Sequence, residues 1–487
     1  MSLSTAPACA SAMAQEAALR CLPLPTILWI ELTSRCPFDC VFCSRKLLRG
    51  AGLHMDFELY RGLIASLSQP EIIRLNYSGE SIHYPHLIEA IGLAAGTGAA
   101  VELVTALAAL PESKIEALAM AGLSQLTVSL HTLSAAQFRQ IYRFNELDAL
   151  RLRLERLVAL SARAPRRLHI DLAFVAMQRN LNQLPAVVDY AAQLGLSKVA
   201  VHPVIRRDPI EERFEAELSD GRLRPEFAAT IAEMVHRLRQ QHPQLAIELS
   251  TPEVAGQCPD ATAIDGSPRY FPGELPSGAQ IADCDQDPWQ TVHVLADGRV
   301  VSCEQRDQIF LGDLHTETLE QIWQGEKYLA FRQRYLLGED PHCRQCPYKR
   351  VHRPQPAPRQ VLPGRSGMSA LLTGWHPGDG TGLVWSKPRA LLRVSAEAGE
   401  RIALRLLLPW AAGGNQIQLR TGVEAPVVGR NSGTRDLEMM LELRAPHSGT
   451  VTIELQVAHR FRPALRDGGA DLRELGVGLL SLRVGQG

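Results

Sequence analysis

The chain has 487 residues, 46% of them hydrophobic, and its 51 lysines and arginines nearly cancel its 52 aspartates and glutamates. So long a chain exceeds a single compact core, and we expect roughly two to four domains. No basic stripe suggests a nucleic-acid partner. No run approaches the ~20 apolar residues that cross a bilayer, and Met1 to Arg20 lack a secretory-signal pattern, so we expect a cytoplasmic protein with no membrane span.

Short apolar runs alternate with helix-period stretches from Thr26 to about Ser250. Repeated strand–helix units of this length predict a parallel sheet with helices outside it, and six of them would make a partial (β/α)6 barrel. The active site of such a barrel lies at the carboxyl ends of its strands. The predicted strands are Ile27–Leu32, Ile72–Tyr77, Ala100–Thr105, Gln125–Leu130, Leu168–Ala176 and Lys198–Val204.

Three closely spaced cysteines follow the first predicted strand. Cys36, Cys40 and Cys43 have the spacing C-x3-C-x2-C. Three thiolates are one ligand fewer than a [4Fe-4S] cluster has irons, which leaves one iron open to a small molecule. The alternatives are half of a zinc site or free thiols in a reducing cytosol, although structural zinc sites favour paired C-x2-C motifs. The ten cysteines are too few for a disulfide scaffold in a chain of this length, and eight of them lie between Cys36 and Cys346, which favours metal binding.

The cysteine loop resembles that of the radical S-adenosylmethionine (SAM) superfamily. The resemblance implies a [4Fe-4S] cluster on Cys36, Cys40 and Cys43 whose open iron binds the methionine part of SAM. It also implies that an electron from the reduced cluster splits SAM and that the resulting 5′-deoxyadenosyl radical removes a substrate hydrogen. An aromatic residue at the position of Phe42 packs near the adenine in that family.

Further SAM-binding residues are implied at the ends of three predicted strands. Ser78, Gly79 and Glu80 resemble a degenerate form of the family's Gly-Gly-Glu-Pro motif, which holds the methionine amino group. Glycine allows a close backbone approach, and a carboxylate accepts hydrogen bonds from an ammonium group. The hydroxyls of Thr105 and Ser129 resemble contacts to the ribose and carboxylate of SAM. A plain turn and ordinary strand-end caps are the structural alternatives.

The sequence identifies no catalytic residue. His131 takes a place where relatives often carry aspartate, so its role is left open. Arg206 and His202, beyond the sixth strand, could face a substrate, but we expect both at the surface.

A second group of cysteines follows an irregular connection that we predict from Thr251 to Ala282. Cys284, Gly298 and Cys303 have the spacing C-x13-G-x4-C in a predicted hairpin, and Cys343 and Cys346 form a C-x2-C pair. This pattern resembles the SPASM/twitch extension of radical SAM enzymes. With no cysteine after the pair, it implies one auxiliary [4Fe-4S] cluster rather than two. A zinc ribbon is the alternative.

A proline-rich linker precedes a C-terminal stretch of short predicted strands. Their regular spacing, with glycine and proline turns, predicts a β-sandwich. The segments around Trp375, Trp385 and Asp471 resemble a small module attached to sugar-acting enzymes. A packing or dimerisation domain is the alternative. The predicted strands are Ala390–Val394, Arg401–Leu408, Gln416–Thr421, Leu437–Leu443, Thr450–Val457 and Gly478–Arg483.

The predicted fold class is therefore α/β, with a partial (β/α)6 barrel, a small cysteine-rich α+β twitch-like extension and a C-terminal β-sandwich. The predicted domains are an N-terminal extension (1–25), the barrel (26–250), a linker with the auxiliary iron–sulfur domain (251–350), a proline-rich linker (351–370) and the sandwich (371–487).

The resemblance implies an enzyme that cleaves SAM with electrons from a donor such as flavodoxin or ferredoxin. The sandwich and the single auxiliary cluster favour oxidation or epimerisation of a sugar-like, aminocyclitol or glycan substrate. The first alternative is maturation of a ribosomally made peptide; we expect an N-terminal peptide-recognition domain in such an enzyme, and the 25 residues before the first strand are too few for one. The second alternative is a non-catalytic metal-binding scaffold that tethers a glycan-binding module.

Overall fold

The structure is a computed structural model that describes residues 24–107, 110–164, 166–204, 214, 216–219, 222–250, 264, 269–353, 355–372, 374–376, 382–421, 425–461, 463, 473 and 475–485. The chain forms two compact units. The described residues within 1–256, 286–335 and 340–342 belong to the first, and those within 257–285, 336–339 and 343–487 belong to the second. No helix in the described ranges is both long and apolar enough to cross a membrane.

The first unit is built on a ten-stranded sheet. Its strands are β1 (Ile27–Ile30), β2 (Ile72–Arg74), β3 (Ala100–Thr105), β4 (Gln125–Ser129), β5 (His169–Ala176), β6 (Lys198–Pro203), β9 (Ala246–Leu249), β12 (Thr291–Val294), β13 (Arg299–Val301) and β14 (Gly312–Asp313). They lie in the order β14-β13-β12-β1-β2-β3-β4-β5-β6-β9. The run from β12 to β9 is parallel, and β13 and β14 add antiparallel to its edge. This confirms the predicted α/β class with parallel strands.

Helices connect the parallel strands, and further helices follow the last strand of the sheet. Their bounds are α1 (Arg45–Arg49), α2 (Phe57–Ala65), α3 (Leu87–Gly96), α4 (Glu112–Met120), α5 (Ala135–Tyr142), α6 (Leu147–Ser161), α7 (Leu184–Gln193) and α8 (Pro225–Gln241), followed after β14 by α9 (Leu319–Gln324), α10 (Glu326–Leu337) and α11 (Pro341–Gln345). The side chain of Asp56 caps α2 by accepting the N–H of Leu59 at 2.9 Å. Each amphipathic helix buries an apolar stripe, such as Tyr60, Leu63 and Ile64 of α2. The loops at the carboxyl ends of the strands are thereby left to carry polar residues.

The second unit contains three sheets. The antiparallel sheet β10-β15-β11 comprises Arg269–Tyr270, Lys349–His352 and Gln280–Cys284. Two further antiparallel sheets comprise β16 (Gln360–Val361), β17 (Val384–Trp385), β19 (Arg401–Leu408), β22 (Leu437–Arg444) and β24 (Gly478–Val484), and β18 (Arg389–Ala396), β20 (Asn415–Arg420), β21 (Val427–Asn431) and β23 (Gly449–Val457). Alternate residues of these strands are buried in one shared hydrophobic core. A short pair, β7 (Leu218–Ser219) with β8 (Arg222–Leu223), belongs to the first unit.

Two expectations differ from the structure or lie outside it. The connection predicted to be irregular from Thr251 to Ala282 contains β10 and the start of β11, because both pair with β15. Residues 1–23 and 251–263, with Arg206, Asp471 and Leu472, lie outside the described residues.

Candidate functional site

The first cysteine group lies in the loop that follows β1. Two backbone hydrogen bonds tie this loop to the end of α5, from Val41 N to Ile141 O at 2.9 Å and from Asp39 N to Tyr142 O at 3.3 Å. Within the loop, Cys43 N donates to Cys40 O at 3.1 Å. The three predicted ligands are therefore presented by one pinned loop at the carboxyl end of a central strand.

Burial disfavours the thiolate form of two cysteines of this loop, Cys36 and Cys40. Burial raises the pKa of Cys36 to about 12, and the nearby Cys43 thiol adds to the effect while Arg45 opposes it. Burial also raises the pKa of Cys40 well above its usual value, followed by repulsion from Cys43 and Cys36. A bound metal reverses this balance, because a coordinating thiol is deprotonated outright. The donor set thus fits an iron–sulfur cluster.

The arrangement of the described side chains is not that of a single-ion site. In the part of the chain that the structure describes, no three His, Cys, Asp or Glu side chains are grouped to hold one metal ion. In a [4Fe-4S] cluster the thiolates bind different irons, so they do not converge on one point.

Arg45 is a residue of this loop that sequence reasoning missed. Its buried guanidinium donates to Ser34 O at 3.1 Å and to Gly50 O at 3.3 Å. It therefore joins the two ends of the loop that carries the cysteines. A cationic residue just after a third cysteine was the available signal.

Glu80 lies at the carboxyl end of β2 and is 4% exposed. Its carboxylate accepts from Thr105 Oγ1 at 2.6 Å, from Ala106 N at 2.8 Å and from Ile82 N at 3.4 Å. Burial raises the pKa of Glu80, while these three hydrogen bonds act in the opposite direction. The structure thus brings together Glu80 and Thr105, two residues that the sequence placed on different strands.

The hydroxyl of Thr105 is engaged within the protein. Besides donating to Glu80, its oxygen accepts from Leu107 N at 2.8 Å. Thr105 therefore orients the Glu80 carboxylate, and a direct contact between Thr105 and SAM stays a prediction.

Gly79 packs against the cysteine loop. A Cβ atom at this position would lie 2.1 Å from Thr33 O and 2.7 Å from Arg35 O. The next residue donates its backbone N–H to Arg35 O at 2.9 Å. Only glycine allows the two loops to approach this closely.

Ser78 is held by a buried carboxylate that the sequence analysis missed. Its N–H and its hydroxyl both donate to Glu31 Oε1, with the N–H bond at 3.3 Å. Glu31 is 1% exposed, and its other oxygen accepts from Ala296 N at 3.0 Å. Glu31 thereby fixes the Ser78 loop to the turn between β12 and β13. An acidic residue directly after an apolar strand was the signal.

An aromatic stack lies beside the cysteine loop. The ring of Phe42 meets His131 edge-on at a centroid distance of 4.9 Å, and His131 stacks on Tyr142 at 5.1 Å. The hydroxyl of Tyr142 donates to Ser129 O at 2.9 Å. Phe42 and Ser129, predicted from separate segments, are therefore joined through His131 and Tyr142.

His131 is neutral in this environment. Burial lowers its pKa to about 3. Its Nδ1 accepts from Val175 N at 3.1 Å, which places the proton on Nε2. The residue whose role the sequence left open thus acts here as a packing and hydrogen-bonding group.

The auxiliary cysteines are divided between the units. Cys303 follows β13 in the first unit, whereas Cys284, Cys343 and Cys346 belong to the second. Cys346 N donates to Cys343 O at 3.3 Å, and burial raises the pKa of Cys346 to about 11. The shared role of the four cysteines stays a prediction from the motif.

Lys349 is a further residue that sequence reasoning missed. It is 1% exposed and lies directly across from Cys284 in the β11–β15 pair. Its ammonium donates to Phe271 O and to Cys346 O, each at 2.9 Å, and to Gly273 O. A buried positive charge therefore stands beside the Cys343–Cys346 turn.

Comparisons with protein families and known proteins agree with this arrangement. Residues 30–161 match the family model of the Radical SAM superfamily, and residues 284–347 match the SPASM model, an iron–sulfur cluster-binding domain. The first match contains the Cys36 loop and the Glu80 loop, and the second contains all four auxiliary cysteines.

Curated relatives share low identity with the chain. It is 26% identical over 339 residues to the PqqA peptide cyclase of Xanthomonas campestris pv. campestris, covering 68% of this chain and 81% of the relative. It is 27% identical over 183 residues to the PqqA peptide cyclase of Gluconobacter oxydans, where the match covers 37% of this chain and half of the relative.

A solved structure shares the fold. The crystal structure of Streptococcus suis SuiB bound to S-adenosylmethionine matches with a TM-score of 0.50 at 12% identity, covering 66% of this chain and 71% of that one. The predicted cofactors, SAM, a [4Fe-4S] cluster and auxiliary iron–sulfur, are confirmed by the two domains. The chain is therefore a radical SAM superfamily enzyme that carries a SPASM iron–sulfur cluster-binding domain.

Proposed function

We propose that this chain is a radical SAM maturase that modifies a peptide. The observation that carries the proposal is the similarity over 339 residues to a PqqA peptide cyclase, because that match covers 81% of the relative. The sugar-like or aminocyclitol substrate expected from the sequence has no support in the relatives, which favour the peptide alternative instead. The short segment before the first strand does not exclude a peptide substrate, because a peptide can also be recognised elsewhere in the chain or by a separate partner protein.

We also propose two finer features of the architecture, a partial barrel and a C-terminal β-sandwich. The parallel strands β1 to β6 follow one another in order, which suits a partial (β/α)6 barrel. The two C-terminal antiparallel sheets share one core, which suits a β-sandwich.

Cys36, Cys40 and Cys43 would hold the [4Fe-4S] cluster, which when bound supplies the electron that cleaves SAM. Glu80 would accept hydrogen bonds from the amino group of SAM, and Thr105 orients that carboxylate. The stack of Phe42, His131 and Tyr142 would keep water from the cysteine loop, as radical chemistry requires.

The auxiliary cysteines of the SPASM domain would hold a second iron–sulfur group. Four thiolates suffice for one fully ligated [4Fe-4S] cluster, which carries electrons without binding substrate through iron. A flavodoxin or ferredoxin would supply the electron that starts the reaction.

Transfer of deuterium to 5′-deoxyadenosine distinguishes a peptide from a sugar substrate. Source cells are grown in heavy water, and their extract is filtered so that only small molecules and peptides remain. This filtrate is added anaerobically to the reconstituted enzyme with SAM and dithionite. The proposal predicts deuterated 5′-deoxyadenosine from untreated extract and none after the extract has been digested with peptidases. Transfer that survives peptidase digestion but is lost after glycosidase treatment or periodate oxidation would refute the peptide substrate.

A further inference from the structure

Three side chains of the first unit have buried hydrogen-bonding atoms that no described residue satisfies. They are both ring nitrogens of His293, the hydroxyl of Tyr77 and Oδ1 of Asn76. His293 is 0% and Asn76 9% exposed. The backbone of Ser302 lies near the imidazole without making a bond of normal geometry. Buried polar groups normally have partners, so this set calls for an explanation.

Two of the three side chains, His293 and Tyr77, are in contact beside the proposed SAM site. His293 of β12 pairs in register with Trp29 of β1, and their rings stack at 5.5 Å. The ring of Tyr77 meets His293 edge-on at 5.8 Å. Asn76 and Tyr77 directly precede Ser78 in the chain. A group bound here would therefore lie next to the loop that carries Glu80.

The charged groups around these side chains disfavour an anionic ligand. Arg74, which lies near the imidazole, is paired with Glu102 at 2.8 Å. Arg49, which lies over the Tyr77 ring at 6.0 Å, is paired with Asp307 at 3.0 Å. Glu304 also lies near the Tyr77 phenol, so these surroundings disfavour a carboxylate ligand.

The polar atoms call for a ligand that both donates and accepts. Burial lowers the pKa of His293 to about 3, with a smaller contribution from Arg74, so the neutral ring offers one N–H and one lone pair. The phenol of Tyr77 also does both, whereas Oδ1 of Asn76 only accepts. A carboxylate has no donor for Asn76, an ammonium has no acceptor, and an alkyl group leaves every atom unsatisfied. A carboxamide supplies both functions.

We propose that Asn76, Tyr77 and His293 form a recognition site for an amide group of the peptide substrate, beside the proposed SAM site. The inference rests on the proposed function, because the peptide supplies the amide. The amide comes either from an Asn or Gln side chain or from a peptide bond.

Calorimetry on the anaerobic, reconstituted enzyme with SAM tests the site. The probes are acetyl-Gly-Gly-Xaa-Gly-Gly-amide peptides with Gln, Asn, Glu or Leu at Xaa, and an ester analogue of the central bond. A side-chain source predicts about tenfold tighter binding of the Gln or Asn peptide than of the Glu and Leu peptides. A backbone source predicts equal binding of the four peptides and about tenfold weaker binding of the ester.

Two variants separate recognition from folding. Tyr77→Phe and His293→Phe should each abolish the observed preference, yet the melting temperature of the substrate-free enzyme should stay the same or rise, because an unsatisfied buried polar group is removed. Tyr60→Phe is the matched control. Its hydroxyl donates to Ala90 O at 2.7 Å, so this change should lower the melting temperature and leave the amide preference intact.

The possible failures are distinguishable. Peptides that bind with no amide preference, and with no effect of the two Phe variants, would overturn the amide site and leave the peptide substrate standing. A drop in melting temperature for both Phe variants would show that the polar atoms serve the fold. No binding of any peptide, with SAM still bound, would overturn the site and the peptide substrate together.

Discussion

Glu80→Gln is the sharpest single change, because it removes a charge and keeps the shape. The carboxylate has about four lone-pair positions, and three are occupied by Thr105, Ala106 and Ile82. About one position is left for the amino group of SAM. A hydrogen bond between charged partners contributes about 1.5–3 kcal/mol, so we expect SAM affinity to fall about 10- to 150-fold.

The same change should weaken the fold modestly. Burial holds the pKa of Glu80 above its unfolded value. The stability that this group contributes is thus present at low pH and is lost as the pH rises through the native pKa. The amide nitrogen of Gln cannot accept a hydrogen bond, so the variant leaves either Ala106 N–H, or the Thr105 hydroxyl and Ile82 N–H, opposed by another donor. We therefore expect Glu80→Gln to lower the melting temperature, through a loss of about 1–3 kcal/mol.

Equilibrium dialysis with labelled SAM on the anaerobic, reconstituted enzyme measures the affinity. Glu71→Gln is the control, because Glu71 lies at the amino end of β2, where it accepts from Thr26 Oγ1 at 3.0 Å. We expect no change in SAM affinity for this control. An affinity of Glu80→Gln within threefold of the wild type, at equal iron content, would refute the assignment of Glu80 to the SAM amino group.

Other predictions concern the loops and the buried charges. Gly79→Ala should lower the free energy of unfolding by about 1–3 kcal/mol and reduce the iron content, because the added Cβ meets Thr33 O. The control Gly92→Ala, in open space on α3, should raise the free energy of unfolding by about 0.5–1 kcal/mol. Equal urea midpoints for the two variants would contradict this prediction. Lys349→Met should lower the midpoint potential of the auxiliary cluster in an EPR-monitored titration, because a positive charge beside Cys346 favours the reduced cluster. An unchanged potential would show that Lys349 does not lie near the cluster. Because the pKa of His131 is about 3 in the native state and 6.5 in the reference state, stability should fall as pH drops below 6.5, by up to about 2 kcal/mol at pH 5. His131→Asn should flatten that dependence in urea unfolding, and parallel curves would contradict it.

The sequence predicted the local elements of the first unit well. All six predicted strands exist, and four of them begin and end within one residue of the structure. The strand predicted as Ile27–Leu32 ends at Ile30 instead, after which Glu31 accepts hydrogen bonds from Ser78 and Ala296. In the second unit, β21 was missed because its residues Val427–Asn431 alternate poorly and include a glycine. Local pattern thus locates strands, whereas distant contacts decide where they end.

The site was predictable where short motifs carry it. The cysteines and the Glu80 loop are contiguous in sequence, so spacing alone indicates them. The partners of Glu80 and Ser78 come from other strands, and the parallel pairing of β12 with β1 joins residues more than 250 positions apart. No periodicity predicts such a register, so the positions of His293 and Glu31 needed the structure.

The most direct test of the account is an iron count with an assay of SAM cleavage on the reconstituted enzyme and on a Cys36/Cys40/Cys43→Ala triple variant. The account predicts about eight irons per chain in the wild type and about four in the variant, with 5′-deoxyadenosine formed only by the wild type after dithionite is added. Bound zinc without iron, or 5′-deoxyadenosine formation by the triple variant, would contradict it.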